Sequence, residues 1–170
     1  MAIIGNNTIG GAGNVLGNTM HNHYRAIDHY TAIAGDYIDR YHCYCSGDSA
    51  LILHVGAYDF IGGVTTNRLA PPVNIIPDAA PGWYSSPIVN QPLVAGVTYN
   101  VGMYSNNAIL VWRGALGVMA EERDTGFDFP DPFVFWMRMA FYYSIWANVT
   151  NGPAPPTTSI YYPPCAQLIT

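Results

Sequence analysis

Met137-Arg138-Met139-Ala140-Phe141-Tyr142-Tyr143-Ser144-Ile145-Trp146-Ala147-Asn148-Val149 decides the fold class. Taken every second residue, one side reads Met137, Met139, Phe141, Tyr143, Ile145, Ala147, Val149, an unbroken apolar row. The other side, Arg138, Ala140, Tyr142, Ser144, Trp146, Asn148, is mixed. Period-2 alternation is the signature of a strand with one face in a core. The aromatic and β-branched residues crowding its end fit a pleated surface better than a helix. A bend near the middle is compatible with the pattern.

Working outward, similar segments precede it. Val97–Tyr104 sets Val97, Tyr99, Val101 and Met103 against Thr98, Asn100, Gly102 and Tyr104. Ser105-Asn106-Asn107 then reads as a hairpin turn before Ala108–Arg113. Ala50–Phe60 places Leu51, Leu53, Val55 and Ala57 on one face. Tyr37–Cys45 sets Tyr37, Asp39, Tyr41, Cys43 and Cys45 against Ile38, Arg40, His42 and Tyr44. Tyr24–Ala34 and Trp83–Val89 complete the set, and a proline-rich crossing from Pro71 to Pro81 reads as surface. About eight strands and no convincing helix predict an all-β fold, a two-sheet antiparallel sandwich of Ig-like or jelly-roll type. An extended N-terminal strand and a proline-rich C-terminal tail flank it. The expected organisation is residues 1–10 as an extended strand, 11–23 as a Gly/Asn-rich connector, 24–151 as the sandwich and 152–170 as the tail.

The 170 residues suit one domain. Half are hydrophobic and 14% aromatic, but only 10% are charged, against roughly 25% in an ordinary soluble domain. There is no lysine, and the six cations are scattered arginines. A net charge of −5 without a basic cluster excludes nucleic acid as the expected partner. So little charge suits a chain whose outer surface is covered in an assembly or by sugar. No stretch reads as a membrane span: the most apolar one, Phe133 to Ala147, is short and carries Arg138. The opening Met1-Ala2-Ile3-Ile4 does not read as an intact signal peptide. The expectation is of a processed chain, another export route, or an intracellular protein.

Chemistry is sparse. No nucleophile elbow, zinc-protease helix motif, P-loop or dinucleotide fingerprint is present, so no catalytic residues are expected and the chain reads as a non-enzyme. No cofactor or metal site is expected either. Asp124, Asp128 and Asp131 could ligate calcium through hard oxygens, with a plain acidic loop as the simpler reading. His21 and His23 flank Asn22 but read as solvated. Cys43 and Cys45, two apart on a strand, share a face; Cys165 could bridge either one, with free buried thiols or a metal site as the alternatives. Asn6-Asn7-Thr8 and Asn148-Val149-Thr150 match the glycan acceptor pattern, making Asn6 and Asn148 candidate glycosylation sites. Trp83, Tyr84, Trp112, Trp136 and Trp146 could stack on sugar rings, or fill a core.

The order of pieces resembles a family of bacterial and environmental β-sandwich proteins. The shared features are Ile4-Gly5-Asn6-Asn7-Thr8-Ile9-Gly10, Thr31-Ala32 before Gly35, Val55-Gly56-Ala57-Tyr58, Gly82-Trp83-Tyr84, Leu93-Val94-Ala95-Gly96-Val97-Thr98-Tyr99 and Tyr143-Ser144-Ile145-Trp146-Ala147. The likeness covers residues 3–150. Some members resemble subunits of pilus-like extracellular fibrils, in which the N-terminal strand of one protomer completes the sandwich of another. The resemblance implies a donor strand in Ala2, Ile3, Ile4, Gly5, Asn6, Asn7, Thr8 and Ile9. The parity of that segment points to Ile3 and Ile9 as the inserted side chains, with Ile4 outside or at a bulge. The candidate acceptor groove is the apolar row Met137, Met139, Phe141, Tyr143 and Ile145. The expected function is therefore the structural subunit of a self-assembling extracellular filament, at the cell surface, with itself as partner. Two alternatives stand beside it: a carbohydrate-binding sandwich module with glycans as partners, and a phage or virion decoration protein.

Overall fold

The computed structural model describes residues 2–16, 22–25, 29–48, 50–62, 64–105, 109–124 and 137–153. In chain order the strands are β1 (Ala2–Gly5), β2 (Ala12–Leu16), β3 (Asn22–Arg25), β4 (Tyr30–Thr31), β5 (Asp36–Ser46), β6 (Leu53–Ile61) and β7 (Val64–Arg68). They continue as β8 (Val73–Ile75), β9 (Gly82–Ser85), β10 (Gln91–Pro92), β11 (Thr98–Tyr104), β12 (Ile109–Asp124), β13 (Met137–Tyr143) and β14 (Ile145–Asn151). The described residues hold no helix. Two antiparallel sheets pack against each other as a β-sandwich, in agreement with the all-β expectation.

One sheet is built on β5. Its Asp36–Cys43 stretch pairs with β14, and β1 pairs with the far side of β14. On the other side of β5 lie β9 and β10. The second sheet is built on β11, which pairs with β6 on one side and with β3 and β4 on the other; β7 and β8 flank β6. The long strand β12 joins the two sheets. Its start pairs with β2 and β5, its end with β3, and β13 runs along it with a register shift between Ala115 and Ala120.

The deciding stretch is thus two strands, not one. The break falls at Ser144, where the chain leaves β12 for β5. The Ser144 N–H donates to the Trp112 carbonyl at 2.9 Å, and its own carbonyl accepts from Tyr44 N–H at 2.9 Å. A buried small polar residue can serve both ladders there.

A second irregularity lies opposite. Asn148 pairs with Arg40 and Val149 with Ile38, leaving Asp39 as the extra residue of a bulge. The bulge shifts side-chain parity, so Ile38 and Tyr41 both face the core although they belong to opposite rows of the strict alternation. Beyond the bulge, Tyr41, Cys43 and Cys45 are buried as the sequence pattern required.

The main core lies between the sheets: Ile38, Cys43, Cys45, Ile145, Ala147 and Val149 from one, Leu53, Val55, Tyr99, Val101 and Met103 from the other. Other expectations are corrected. The stretch 11–23 is not merely a connector, because it contains β2 and opens β3. The proline-rich crossing contributes β8, paired with Leu53–Val55. Within 24–34 the described residues hold the end of β3 and the short β4, and β9 ends at Ser85. Residues 106–108 lie outside the described residues, but β11 and β12 do not form the expected hairpin: β3 pairs with both and separates them.

Candidate functional site

Two places carry the functional expectations: the seat of β1 and the outer face of the β5 sheet. The seat comes first because the sequence reading rests on it. Residues 2–5 lie antiparallel to β14 of their own chain, Ala2 opposite Val149, Ile3 opposite Asn148, Ile4 opposite Ala147 and Gly5 opposite Trp146. In the single chain, then, the first strand completes its own sandwich. The expectation of a fold missing a strand is corrected at this point.

The inserted side chain is also corrected. Ile4 is 0% exposed and belongs to the main core, whereas Ile9 is 49% exposed and Ile3 is half-buried. The parity argument failed because it assumed one continuous strand from Ala2 to Ile9. The ladder instead stops at Gly5, whose φ of +95° turns the chain. A Cβ at Gly5 would stand 2.5 Å from the Ile145 carbonyl oxygen and 2.7 Å from Val101 Cγ2, so the seat admits only glycine there without displacement. Asn6 N–H still donates to the Ile145 carbonyl at 2.7 Å, and Asn6 Oδ1 then accepts from Thr8 N–H at 3.0 Å, closing a local turn. Gly10 N–H donates to Ser144 Oγ at 2.8 Å.

The acceptor shifts accordingly. The strand beside β1 is β14. Met137, Met139 and Phe141 lie on β13, which pairs with β12, whereas Tyr143 and Ile145, the other two expected groove residues, lie in the main core. Val101, Ala147 and Val149 join them.

At the Ala2 end the space between the sheets opens into a cleft of about 250 Å³, lined by Ala2, Tyr30, Ile33, Asp36, Val149 and Asn151. The Asp36 carboxylate organises it. It accepts from the Tyr30 hydroxyl at 2.6 Å, from Ile33 N–H at 2.8 Å and from Asn151 Nδ2 at 2.8 Å. Burial pushes Asp36 up, but the hydrogen bonds from Tyr30, Asn151 and the Ile33 backbone outweigh it and hold the carboxyl below its ordinary value. The same bond, then burial and the carboxylate charge, push Tyr30 up to about 12.

Cys43 and Cys45 are buried free thiols on one face, with Cys45 Sγ 3.7 Å from the Cys43 carbonyl. Burial, then the neighbouring Cys45, raises Cys43 well above the ordinary thiol value. Cys165, the expected bridging partner, lies outside the described residues, as do Asp128, Asp131, His21 and Trp136. Asp124 closes β12. Among the described residues no three metal-ligand side chains cluster, and no helix is long and apolar enough to cross a membrane. Of the two glycan acceptor asparagines, Asn6 is half-buried in its turn. Asn148 is 8% exposed, and its amide nitrogen lies 3.5 Å from an Asp39 carboxylate oxygen inside the bulge; a glycan there would displace that packing.

The outer face of the β5 sheet gathers aromatic rings from four strands. Tyr44 of β5 meets Trp83 of β9 edge to face at 5.5 Å and 79°, and Trp112 of β12 at 5.3 Å and 83°. Trp83 stands 6.4 Å from Trp146 of β14 at 77°, and the His42 ring stacks on Trp146 at 4.1 Å and 17°. His42 Nδ1 and Ser85 Oγ share a hydrogen bond of 2.7 Å. Burial, then the nearby Arg40, lowers the His42 pKa against the pull of Asp39. Three of the five aromatic residues named from sequence therefore join one cluster, Trp83 and Trp146 directly and Trp112 through Tyr44. Tyr84, one residue along β9, turns the other way, partly packs on the core and bonds the Ala80 carbonyl through its hydroxyl. Tyr44 and His42 were missed as members, although the alternation of β5 already put them on one row; only strand pairing reveals Trp83 opposite Tyr44 and Trp146 opposite His42. His29 and His54 stack elsewhere, on Phe60 and Tyr104.

Neither a known family model nor a curated protein matches this chain.

Proposed function

We propose that this chain is a non-enzymatic structural subunit of an extracellular filament, and that β1 is the element its copies exchange. The reading differs from an open fold awaiting a strand: each copy closes on itself, and assembly swaps a seated strand for an identical one. The observation that supports it is the fit of β1 to its seat, with Ile4 sealed in the core and a glycine required after it. Exchange between copies conserves those contacts. The balance is then set by protein concentration and by the link that follows β1. That link, residues 6–11, includes exposed Asn7, Thr8 and Ile9, and its six residues span about 20 Å when extended, enough to reach an adjacent copy. Head-to-tail exchange does not close, so it propagates as a filament. The low charge of the chain is consistent with surfaces covered by neighbours.

Paired cysteines test it. Ile3 and Asn148 are cross-strand partners, so Ile3→Cys with Asn148→Cys, in a Cys165→Ser background, can be oxidised after concentration. Covalent ladders on a denaturing gel, with filaments by electron microscopy, are the expected result. Cross-linked monomer alone at every concentration, without filaments, would refute exchange.

A further inference from the structure

We propose that the aromatic outer face of the β5 sheet is a binding site for neutral pyranose sugars. The site shares β14 with the β1 seat, since Trp146 is the register partner of Gly5, but its argument does not depend on the assembly reading.

Three features point to that ligand. The first is shape: Trp83, 37% exposed, stands across Tyr44 and Trp146, and the crossing ring planes make a ridged surface in place of a flat one. Sugar rings offer C–H faces that lie on aromatic faces, and their edges carry hydroxyls. The second is open hydrogen-bonding capacity. The Tyr44 hydroxyl and the indole N–H groups of Trp83, Trp112 and Trp146 make no hydrogen bond to a described residue, and none is sealed from solvent. Tryptophan and tyrosine suit such a half-open face, where an apolar ring packs and its N–H or O–H stays within reach of water or of a ligand hydroxyl. The His42–Ser85 pair adds further polar atoms at the rim. The third is charge. No ring in the cluster carries one, and the environment of His42 favours its neutral form. The charges acting on His42, Arg40 and Asp39, are of opposite sign, so the face carries no single-sign field that would call for a charged ligand. Apolar walls with a few convergent polar groups are the ordinary make-up of a small-ligand site.

A second copy of the chain is the competing occupant. Among the described residues the aromatic cluster comprises five side chains, against roughly 20–30 residues per side in a stable protein interface, and a cluster of that size matches the smaller ligand.

The test uses the full chain with cellohexaose, mannohexaose, xylohexaose and maltohexaose as probes, read by tryptophan fluorescence and calorimetry. Polygalacturonate serves as the charged comparison. Saturable binding of at least one neutral hexasaccharide, insensitive to salt, is expected, with at least a tenfold loss in Trp83→Ala and a comparable loss in Tyr44→Phe. Circular dichroism establishes that each variant is folded. Absence of binding to all four neutral probes overturns the proposal, as does binding unchanged in Trp83→Ala. Self-association that Trp83→Ala abolishes, without sugar binding, assigns the face to a second copy and also overturns it. The Ile3/Asn148 cross-link reads the assembly reading separately, so either can fail alone.

Discussion

The two faces of the β14–β5–β9 sheet are both hydrophobic, yet they have opposite fates. The inner face carries Cys43, Cys45, Ile145, Ala147 and Val149 and is closed by the second sheet and by Ile4. The outer face carries Tyr44, Trp83, Trp112 and Trp146 and is half-open. Hydrophobicity does not separate them. The inner residues are mostly aliphatic or small, and the Tyr41 hydroxyl among them is satisfied by the Ala57 backbone, so they can be sealed without loss. Each outer residue ends in an N–H or O–H, which suits a surface that keeps water or ligand within reach.

The largest effect should come from opening the inner face. Ile145 is fully buried beside the turn of β1. Ile145→Ala should destabilise the fold by about 3 kcal/mol, as other buried Ile-to-Ala changes do. Urea unfolding measures it. A loss below about 1 kcal/mol would mean that the inner face is not the closed core described here.

A middle-sized effect lies at the end of the inner face, where Asp36 ties Tyr30, Ile33 and Asn151 together. The folded Asp36 carboxyl sits below its ordinary value, so its charge adds stability above the usual carboxylate range, and that stability fades as pH falls through the lowered value. Tyr30 behaves in the opposite sense. Its value is raised to about 12, so its contribution is complete below about pH 10 and disappears as pH rises toward 12. Asp36→Asn should flatten the acid side of a melting-temperature profile, and Tyr30→Phe the alkaline side, with a loss near neutrality of about 1 kcal/mol for Tyr30→Phe. Parallel profiles for the wild type and both variants would show that the carboxylate does not organise this end.

How legible these features were in the sequence depends on whether they are local. Alternation identified β5, β6, β11 and the inner rows of Cys43/Cys45 and Ile145/Ala147, because period 2 is a property of neighbouring residues. It failed where the ladder breaks. The bulge at Asp39, the switch at Ser144 and the turn at Gly5 each reset parity, and each depends on a partner strand distant in sequence. The choice of Ile9 over Ile4 was lost at Gly5 for that reason. The aromatic site was legible only as a composition: Trp83 and Trp112 are separated by 29 positions, and the β9–β5 register is what brings the first of them against Tyr44.

The smallest effect on stability should belong to the outer face, and its smallness is informative. Trp83 is the most exposed ring of the cluster and touches Tyr44 and Trp146 only edge to face. It leaves no sealed cavity when truncated, because solvent already reaches the site. Trp83→Ala should therefore cost about 0.5 kcal/mol, within the range of ordinary surface changes, measured in the same urea titration as Ile145→Ala. A large bare indole contributing so little to folding needs another reason to stand where it does, and ligand contact supplies one. A loss of about 3 kcal/mol would make Trp83 a structural residue and erase the difference between the two faces.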